Sequence, residues 1–426
     1  MRKMRKIIMA STMAVILGMS CFLTGCGSGI PGIHAEDVTV SKKDSQSVSL
    51  VLGFHKFFPI ITLNRKEIYA RIYEACYTYG SVSAVTVDGE PFVSCNYDIN
   101  KPDKKINEAK KKQLAKGSAE QIMAAASSTG GRTPEIDTLS AIILSADTLQ
   151  STEEGSDKSM IIFDSGLSTT SYLNFAAQNI IEEPVDRIVT QLEERHAIPD
   201  LEGIEVAWFG IGQTCGEQTG LTPDYKYKLQ NIWQAILEKG GAQSVDFDTS
   251  PVSAEANDMD LPECSTVAVV EDGLDMAGKI TEDAMPEIIK WDVTSPLNFQ
   301  KDQAEFVDAS AAVEQVKPVA AYLSANPDEK VYIFGMTATV YEGDLGISLS
   351  KARADACKDI LIQQGVPESQ LEAEGLGQRA NSLRVNDMDT NGVQIEEQAQ
   401  KNRAVFIVRG DSEFVEELMR CAKEMR

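Results

Sequence analysis

The chain has 426 residues and a formal net charge of −24, and 43% of its residues are hydrophobic. That length exceeds one ordinary hydrophobic core, so two domains are expected. Such acidity makes nucleic acid and anionic lipid headgroups poor partners, and three histidines with no Cys-x-x-Cys pair leave little material for histidine catalysis or a zinc site.

In chain order, the first element is a basic head (Arg2, Lys3, Arg5, Lys6) followed by an apolar run from Ile7 to Phe22 and then Leu23-Thr24-Gly25-Cys26. A basic segment, an apolar segment and small residues before a cut describe a secretory signal, placed at residues 1–25. The Leu-Thr-Gly-Cys box resembles the lipobox of bacterial lipoproteins. That resemblance implies lipidation of Cys26 by palmitate-type acyl chains, with Cys26 as the mature N-terminus and the protein anchored at the extracytoplasmic face of the cell membrane. The alternatives are an ordinary signal with an incidental cysteine, or an uncleaved anchor. Residues 26–47 are small, polar and unpatterned and read as a flexible tether. No later segment reaches the roughly 18 apolar residues that span a bilayer.

Residues 48–250 alternate strands and helices. Val48–Gly53 reads as a buried strand and Asn64–Tyr79 as a helix capped by Asn64. Ser81–Val87 and Pro91–Cys95 form a hairpin about an Asp88-Gly89 turn. Helices follow near 104–127 and 136–149, a strand at 159–163, then helix 184–196, strand 205–209, helix 225–239 and strand 244–247. This pattern predicts an α/β, doubly wound, mostly parallel sheet. The hairpin after the first helix, Thr133-Pro134-Glu135-Ile136-Asp137 opening a helix and the strand end Phe163-Asp164-Ser165-Gly166 together resemble the von Willebrand factor A domain. Many members of that family bind a metal ion through Asp-x-Ser-x-Ser, a Thr and a later Asp. Here those slots fall on Gly53, His55, Phe57, Thr133 and Asp164, which removes three oxygen ligands, so no metal is expected. The resemblance implies a face at the strand C-termini that presents His55, Lys56 and Phe57, with an unknown protein partner. The loop Gly210–Gly216 lacks the lysine and spacing of a phosphate loop and reads as a plain loop. Cys76 and Cys95 bracket the hairpin; a disulfide between them and a pair of buried thiols are the two readings.

Residues 251–290 are rich in Asp and Glu and read as an acidic linker with a small hairpin, or as an extra strand attached to one domain, with a strand near 265–270. From 291 to 410 the pattern predicts a second, smaller α/β sandwich. Its elements are a strand opening at Leu297-Asn298-Phe299, helix 310–326, strand 331–336, helix 349–365, and strands 371–376 and 404–408. Residues 411–426 form a short amphipathic C-terminal helix. Gly335-Met336-Thr337-Ala338, Leu349-Ser350-Lys351-Ala352-Arg353-Ala354, Gly375-Leu376-Gly377 and Asn402-Arg403-Ala404-Val405 are similar to the ordered motifs of the OmpA-like domain. That family binds peptidoglycan: an Asp holds the ammonium of the diaminopimelate stem peptide and an Arg its carboxylate. The resemblance places Thr337, Arg353, Asn402 and Arg403 at the site and puts Ala338 where the family has its Asp. Tyr341 and Gly346 replace two further family residues, and Glu342 or Asp344 is the available substitute acid. For each site residue a plain reading stands beside this one: Arg353 paired with Asp355 or Glu374, Asn402 and Arg403 pinning the last strand, Thr337 capping its loop.

The sequence therefore points to a non-enzymatic, membrane-tethered lipoprotein, without cofactor, that binds peptidoglycan through its C-terminal domain. No Gly-x-Ser-x-Gly, His-Glu-x-x-His or Walker motif argues for catalysis. The alternative is a receptor or assembly lipoprotein that binds a protein and, with Ala338, has lost the wall.

Overall fold

The computed structural model describes residues 44–59, 65–153, 155–252, 260–273, 276, 279–300, 302–339 and 346–423. Cys26, Asn64, Tyr341, Glu342 and Asp344 lie outside the described residues. Among the described residues no helix is long and apolar enough to cross a membrane.

The first sheet is built from β1 (Gln46–Leu52), β2 (Ser81–Thr86), β3 (Phe92–Asp98), β4 (Asp157–Phe163), β5 (Ile204–Phe209) and β6 (Ser244–Asp248). Their order is β3-β2-β1-β4-β5-β6; all neighbours run parallel except the antiparallel edge strand β3. Helices α1 (Lys66–Thr78) and α2 (Glu108–Ala126) cover one face, and α3 (Thr138–Gln150), α4 (Val185–Glu194) and α5 (Pro223–Lys239) the other. Because both faces are covered, alternate residues of one strand enter different cores: Leu50 and Leu52 pack with α1 and α2, and Val51 with α3. Asn107, Asp137 and Thr222 start α2, α3 and α5 by accepting the backbone N–H of Lys110, Ser140 and Tyr225.

The second sheet has the order β10-β9-β11-β8-β7, from β7 (Val270–Asp272), β8 (Ile288–Trp291), β9 (Val331–Met336), β10 (Leu371–Gly377) and β11 (Val405–Arg409). Helices α6 (Ala309–Ala325) and α7 (Ile347–Gln363) pack on one face. Helix α9 (Phe414–Lys423) closes the other with Phe414, Val415 and Leu418, and α8 (Glu396–Asn402) precedes β11.

Several expectations are corrected. The segment 251–290 is not a linker or separate hairpin: as in the extra-strand reading it adds to one domain, supplying β7 and most of β8 to the second sheet. The apolar run Ile288-Ile289-Lys290-Trp291 pairs with β11, whereas Leu297–Phe299 forms no strand and Phe299 only bridges to Phe306. Residues 267–269 form no strand either. Val267 and Val269 sit in the first core and Ala268 in the second, and the Gln218 side-chain amide bonds both backbone groups of Val267. The turn between β2 and β3 is longer than two residues because Asp88 is committed elsewhere: its Oδ1 accepts from the backbone N–H of Gly89, Arg132 and Thr133 and from the Thr133 hydroxyl. Helix α1 starts at Lys66 after Arg65, which makes no side-chain cap. Cys76 and Cys95 form no disulfide; burial pushes their thiols up to about 12 and about 11.

Candidate functional site

At the C-terminal end of the first sheet, the strand order reverses between β1 and β4, the crevice where open α/β sheets place their ligands. Asp164 is buried there and saturated from within the protein. Its Oδ1 accepts from His55 Nε2 at 2.9 Å, and its Oδ2 accepts from the Thr138 hydroxyl at 2.7 Å and the Gly166 N–H at 2.8 Å. The indole of Trp208 donates to the Asp164 carbonyl at 2.8 Å and fixes the strand end. A Cβ on Gly53 would fall 2.1 Å from Asp164 Oδ1, so no side chain fits at that slot. Thr133, expected beside Asp164, instead bonds Asp88, and Thr138 takes the position beside Asp164. The imidazole of His55 thus sits against the carboxylate oxygen that a cation would need. Phe57 is buried and Lys56 pairs with Glu263 at 3.5 Å.

The second constellation forms where β9, α7 and β10 meet. A Cβ on Gly335 would lie 1.9 Å from the Ser350 carbonyl, and one on Gly375 2.6 Å from the Ile347 carbonyl. These two glycines let α7 lie directly on the sheet, and Ser350 Oγ locks the contact by donating to Ile347 O and accepting from Gly377 N–H at 3.0 Å. The Gly and Ser positions of the sequence motif are therefore packing positions.

Thr337 leaves β9 with its N–H on the Gly377 carbonyl at 2.8 Å, while its buried hydroxyl has no partner among the described residues. That hydroxyl lies against Gly346, the left-handed residue (φ 74°) that begins α7, where a Cβ would approach it to 2.3 Å. Ala338 is 6% exposed, a methyl in an enclosed position. Arg353 projects from α7 and is also 6% exposed. Its Nε donates to the Gln303 carbonyl at 3.0 Å and its guanidinium lies 5.4 Å from the Phe299 ring centroid. The plain reading in which Asp355 pairs with Arg353 does not hold, since Asp355 binds Lys351. Burial pushes the Arg353 guanidinium below its usual value, with Asp302 opposing and Arg403 adding to the shift. Arg403 makes a paired bond with the Glu396 carboxylate, at 2.6 and 3.1 Å. Asn402 is 1% exposed and uses both ends of its amide on the Val385 backbone. It pins the loop ahead of β11 and has no face for a ligand.

One cluster was invisible to motif reading. Asp387 is 1% exposed and accepts from the Thr339 N–H at 2.7 Å, the Thr339 hydroxyl and Arg384 Nη2 at 3.2 Å. Arg384 also donates to Thr339 Oγ1 at 2.8 Å and to the Thr337 carbonyl at 3.3 Å. Burial pushes the Arg384 guanidinium down, against the opposing pull of Asp387. The cluster holds the strand end that carries Thr337 and Ala338. Its only sequence signal is an acid three residues after an arginine in an irregular stretch, which is too common to read.

The loop 378–395 bearing this cluster is held by the first domain. Arg187 donates to the carbonyls of Asn386 and Met388, Asn386 N–H donates to Glu183, Asn179 bonds the backbone of Asn381 and Leu383, and Lys401 donates to the Glu182 carbonyl.

Residues 298–397 match the OmpA family. The chain carries an OmpA-like domain at its C-terminus. Three solved structures are similar to part of it. The peptidoglycan-associated lipoprotein from Burkholderia pseudomallei is 24% identical over 27% of this chain and 93% of that one, with a TM-score of 0.22. The periplasmic domain of Helicobacter pylori MotB is 19% identical over 31% and 81%, with a TM-score of 0.23. The OmpA-like domain of FopA1 from Francisella tularensis subsp. tularensis is 17% identical over 28% and 69%, with a TM-score of 0.20. No curated protein matches the chain.

Proposed function

We propose that this protein is a non-enzymatic lipoprotein of the cell envelope that holds peptidoglycan non-covalently through its OmpA-like domain, with Cys26 as the acylated residue and the chain displayed on the extracytoplasmic face. The observation that carries the reading is the family match over 298–397, within which Arg353 lies on α7. A peptidoglycan-associated lipoprotein is among the similar structures. Arg353 is fixed through Nε, and a guanidinium held that way can still make a paired bond to a carboxylate through its two Nη groups. In this reading Arg353 takes the carboxylate of the diaminopimelate stem peptide, the Thr337 hydroxyl contributes a hydrogen bond, and Arg403 adds positive charge nearby. Asn402 supports the site without touching the ligand. Without an Asp at 338, the ligand ammonium lacks a bond worth about 1.5–3 kcal/mol. A covalent lipid at one end and a weak wall contact at the other still retain the protein, because tethering raises the effective concentration.

The first domain is read as von Willebrand factor A-like from its strand order with one antiparallel edge and its hairpin after α1. Its metal position is filled by His55, and it serves as a protein-binding or spacing module. The second reading, a receptor or assembly lipoprotein that no longer binds the wall, is favoured by one observation, the enclosed methyl of Ala338. Co-sedimentation of the full-length chain, held in mild detergent, with purified diaminopimelate-type sacculi separates the two. Wall binding predicts that the chain pellets and Arg353→Ala stays in the supernatant. Neither pelleting supports the second reading.

A further inference from the structure

The first domain carries its charge unevenly. Between Asp98 and Lys116 stand seven lysines against three acids, Asp98, Asp103 and Glu108, in a chain that is otherwise strongly acidic. We propose that this lysine-rich end of the first domain is a docking face for an anionic phospholipid bilayer. The choice of a bilayer as occupant rests on the Cys26 reading above; the charge of the face does not.

The face is built by β3, α1 and α2 at the end of the sheet where β1 begins. Ser47 of β1 lies opposite Ser81 of β2, and Ser81 opposite Asp98 of β3. From there the chain runs through residues 99–107 into α2, with the Ile99 N–H on the Gly80 carbonyl at 2.9 Å. Tyr77, in the last turn of α1, holds the start of α2: its hydroxyl donates to Glu108, and Lys111 Nζ lies 3.8 Å from its ring centroid. The buried side of α2 begins only at Ala115, so its first turn and a half stands clear of the core. Lys101, Lys104, Lys105, Lys110 and Lys112 are exposed, and none of them forms an ion pair among the described residues. Tyr77 and Tyr79 beside them are half-buried, and a tyrosine, with an apolar ring and a polar tip, suits a membrane–water boundary.

Net charge makes an anionic surface a poor partner for the molecule as a whole, yet contact is decided locally. At physiological salt the screening length is about 8 Å, so charges farther from the surface count for little. Lysines inside that layer are attracted to an anionic leaflet one by one, and their contributions accumulate. The acidic remainder is repelled, which leaves one orientation for approach. That orientation matches the tether. The Gln46 N–H donates to Thr78 Oγ1 at 3.1 Å, so the chain enters the first domain beside the end of α1 and the lysines. The stretch from Cys26 to Asp44 reaches at most about 60 Å, and an anchor at Cys26 holds this end near the bilayer at high effective concentration. Contacts with the second domain are made at the opposite end of the sheet, by Gln218 after β5 and by Asn179 and Arg187 after β4. Lysines set toward the lipid thus turn the OmpA-like domain away from it.

The test inserts the full-length chain from mild detergent into vesicles of phosphatidylcholine, alone or with phosphatidylglycerol, and measures acetylation of each lysine by a water-soluble active ester. The expected result is that Lys101, Lys104, Lys105 and Lys112 react about tenfold more slowly on the phosphatidylglycerol vesicles. High salt should remove the difference, and Lys317 on α6 should react alike on both. The triple variant Lys104→Glu, Lys105→Glu, Lys112→Glu should lose the protection of Lys101. All three side chains are exposed, so an unshifted melting curve shows that the variant is folded. Equal reaction on the two vesicles, or protection by soluble polyphosphate without protection by phosphatidylglycerol, overturns the proposal. Retention on phosphatidylcholine vesicles reads the Cys26 anchor separately. A chain that leaves them, yet is protected on phosphatidylglycerol, removes the anchor reading and leaves the lysine face standing.

Discussion

Two buried carboxylates show how single residues set the behaviour of each domain. Asp387 titrates below the usual carboxylate range: burial acts to raise it, and the bonds from Thr339 together with the charge of Arg384 outweigh that effect. A depressed folded value means that its stabilisation is complete above the unfolded pKa of about 4 and is lost as the pH falls through the folded value. Asp387→Asn leaves Arg384 buried without its counter-charge and is expected to cost about 3 kcal/mol. Urea unfolding at neutral pH reads that loss, and the gap to wild type should close as the pH falls below about 4; a gap independent of pH would contradict the assignment. Asp164, in the first domain, is held by His55, Thr138 and Gly166. Gly53→Ser, which restores a hydroxyl at the vacant ligand slot, should destabilise by about 1–3 kcal/mol through overpacking against that carboxylate. Its melting temperature should not respond to Mg²⁺, and a rise with Mg²⁺ would show that the position still accepts a cation.

At the scale of elements, the decisive contacts are those between loops and strand ends. Arg187 on α4 bonds two carbonyls of the loop that carries Arg384 and Asp387. Arg187→Ala should therefore raise amide hydrogen exchange at 386–389 several-fold with little change elsewhere; exchange unchanged in that loop would show that the second domain holds it alone. Strands and helices with strong periodicity were legible in the sequence: β9 falls on the expected 331–336, and α5 and α7 begin within two residues of their expected starts. The elements that escaped were decided by partners far along the chain. Residues 288–291 make a strand by pairing with β11 on one side and β7 on the other, and 267–269 divide their side chains between two cores. In the site, Arg353 was legible from its motif, but its contacts with Gln303 and Phe299 were not. Asn402 had the right type and place, yet its amide is committed to Val385, a pairing no local pattern displays. The Arg384–Asp387–Thr339 cluster spans two segments 45 or more residues apart, and nothing in either segment announces the other.

At the scale of the molecule, the two domains are joined by the shared segment 267–269 and by the grip of 179–187 on the loop 378–395, whose Arg384 and Asp387 hold the strand end that carries Thr337 and Ala338. With an anchor at Cys26, the whole assembly should follow the membrane fraction and incorporate labelled palmitate. Cys26→Ser should abolish both; retention of label in that variant would place the lipid elsewhere. The central claim, that Arg353 anchors a stem-peptide carboxylate beside a position stripped of its acid, is tested most directly by the affinity of the full-length chain for a diaminopimelate tripeptide. The account predicts weak binding by wild type, loss in Arg353→Ala, and a gain of about tenfold to a hundredfold in Ala338→Asp, as the ammonium regains its partner. No binding by wild type and none in folded Ala338→Asp would contradict it, and would leave the C-terminal domain as a wall-binding fold put to a different use.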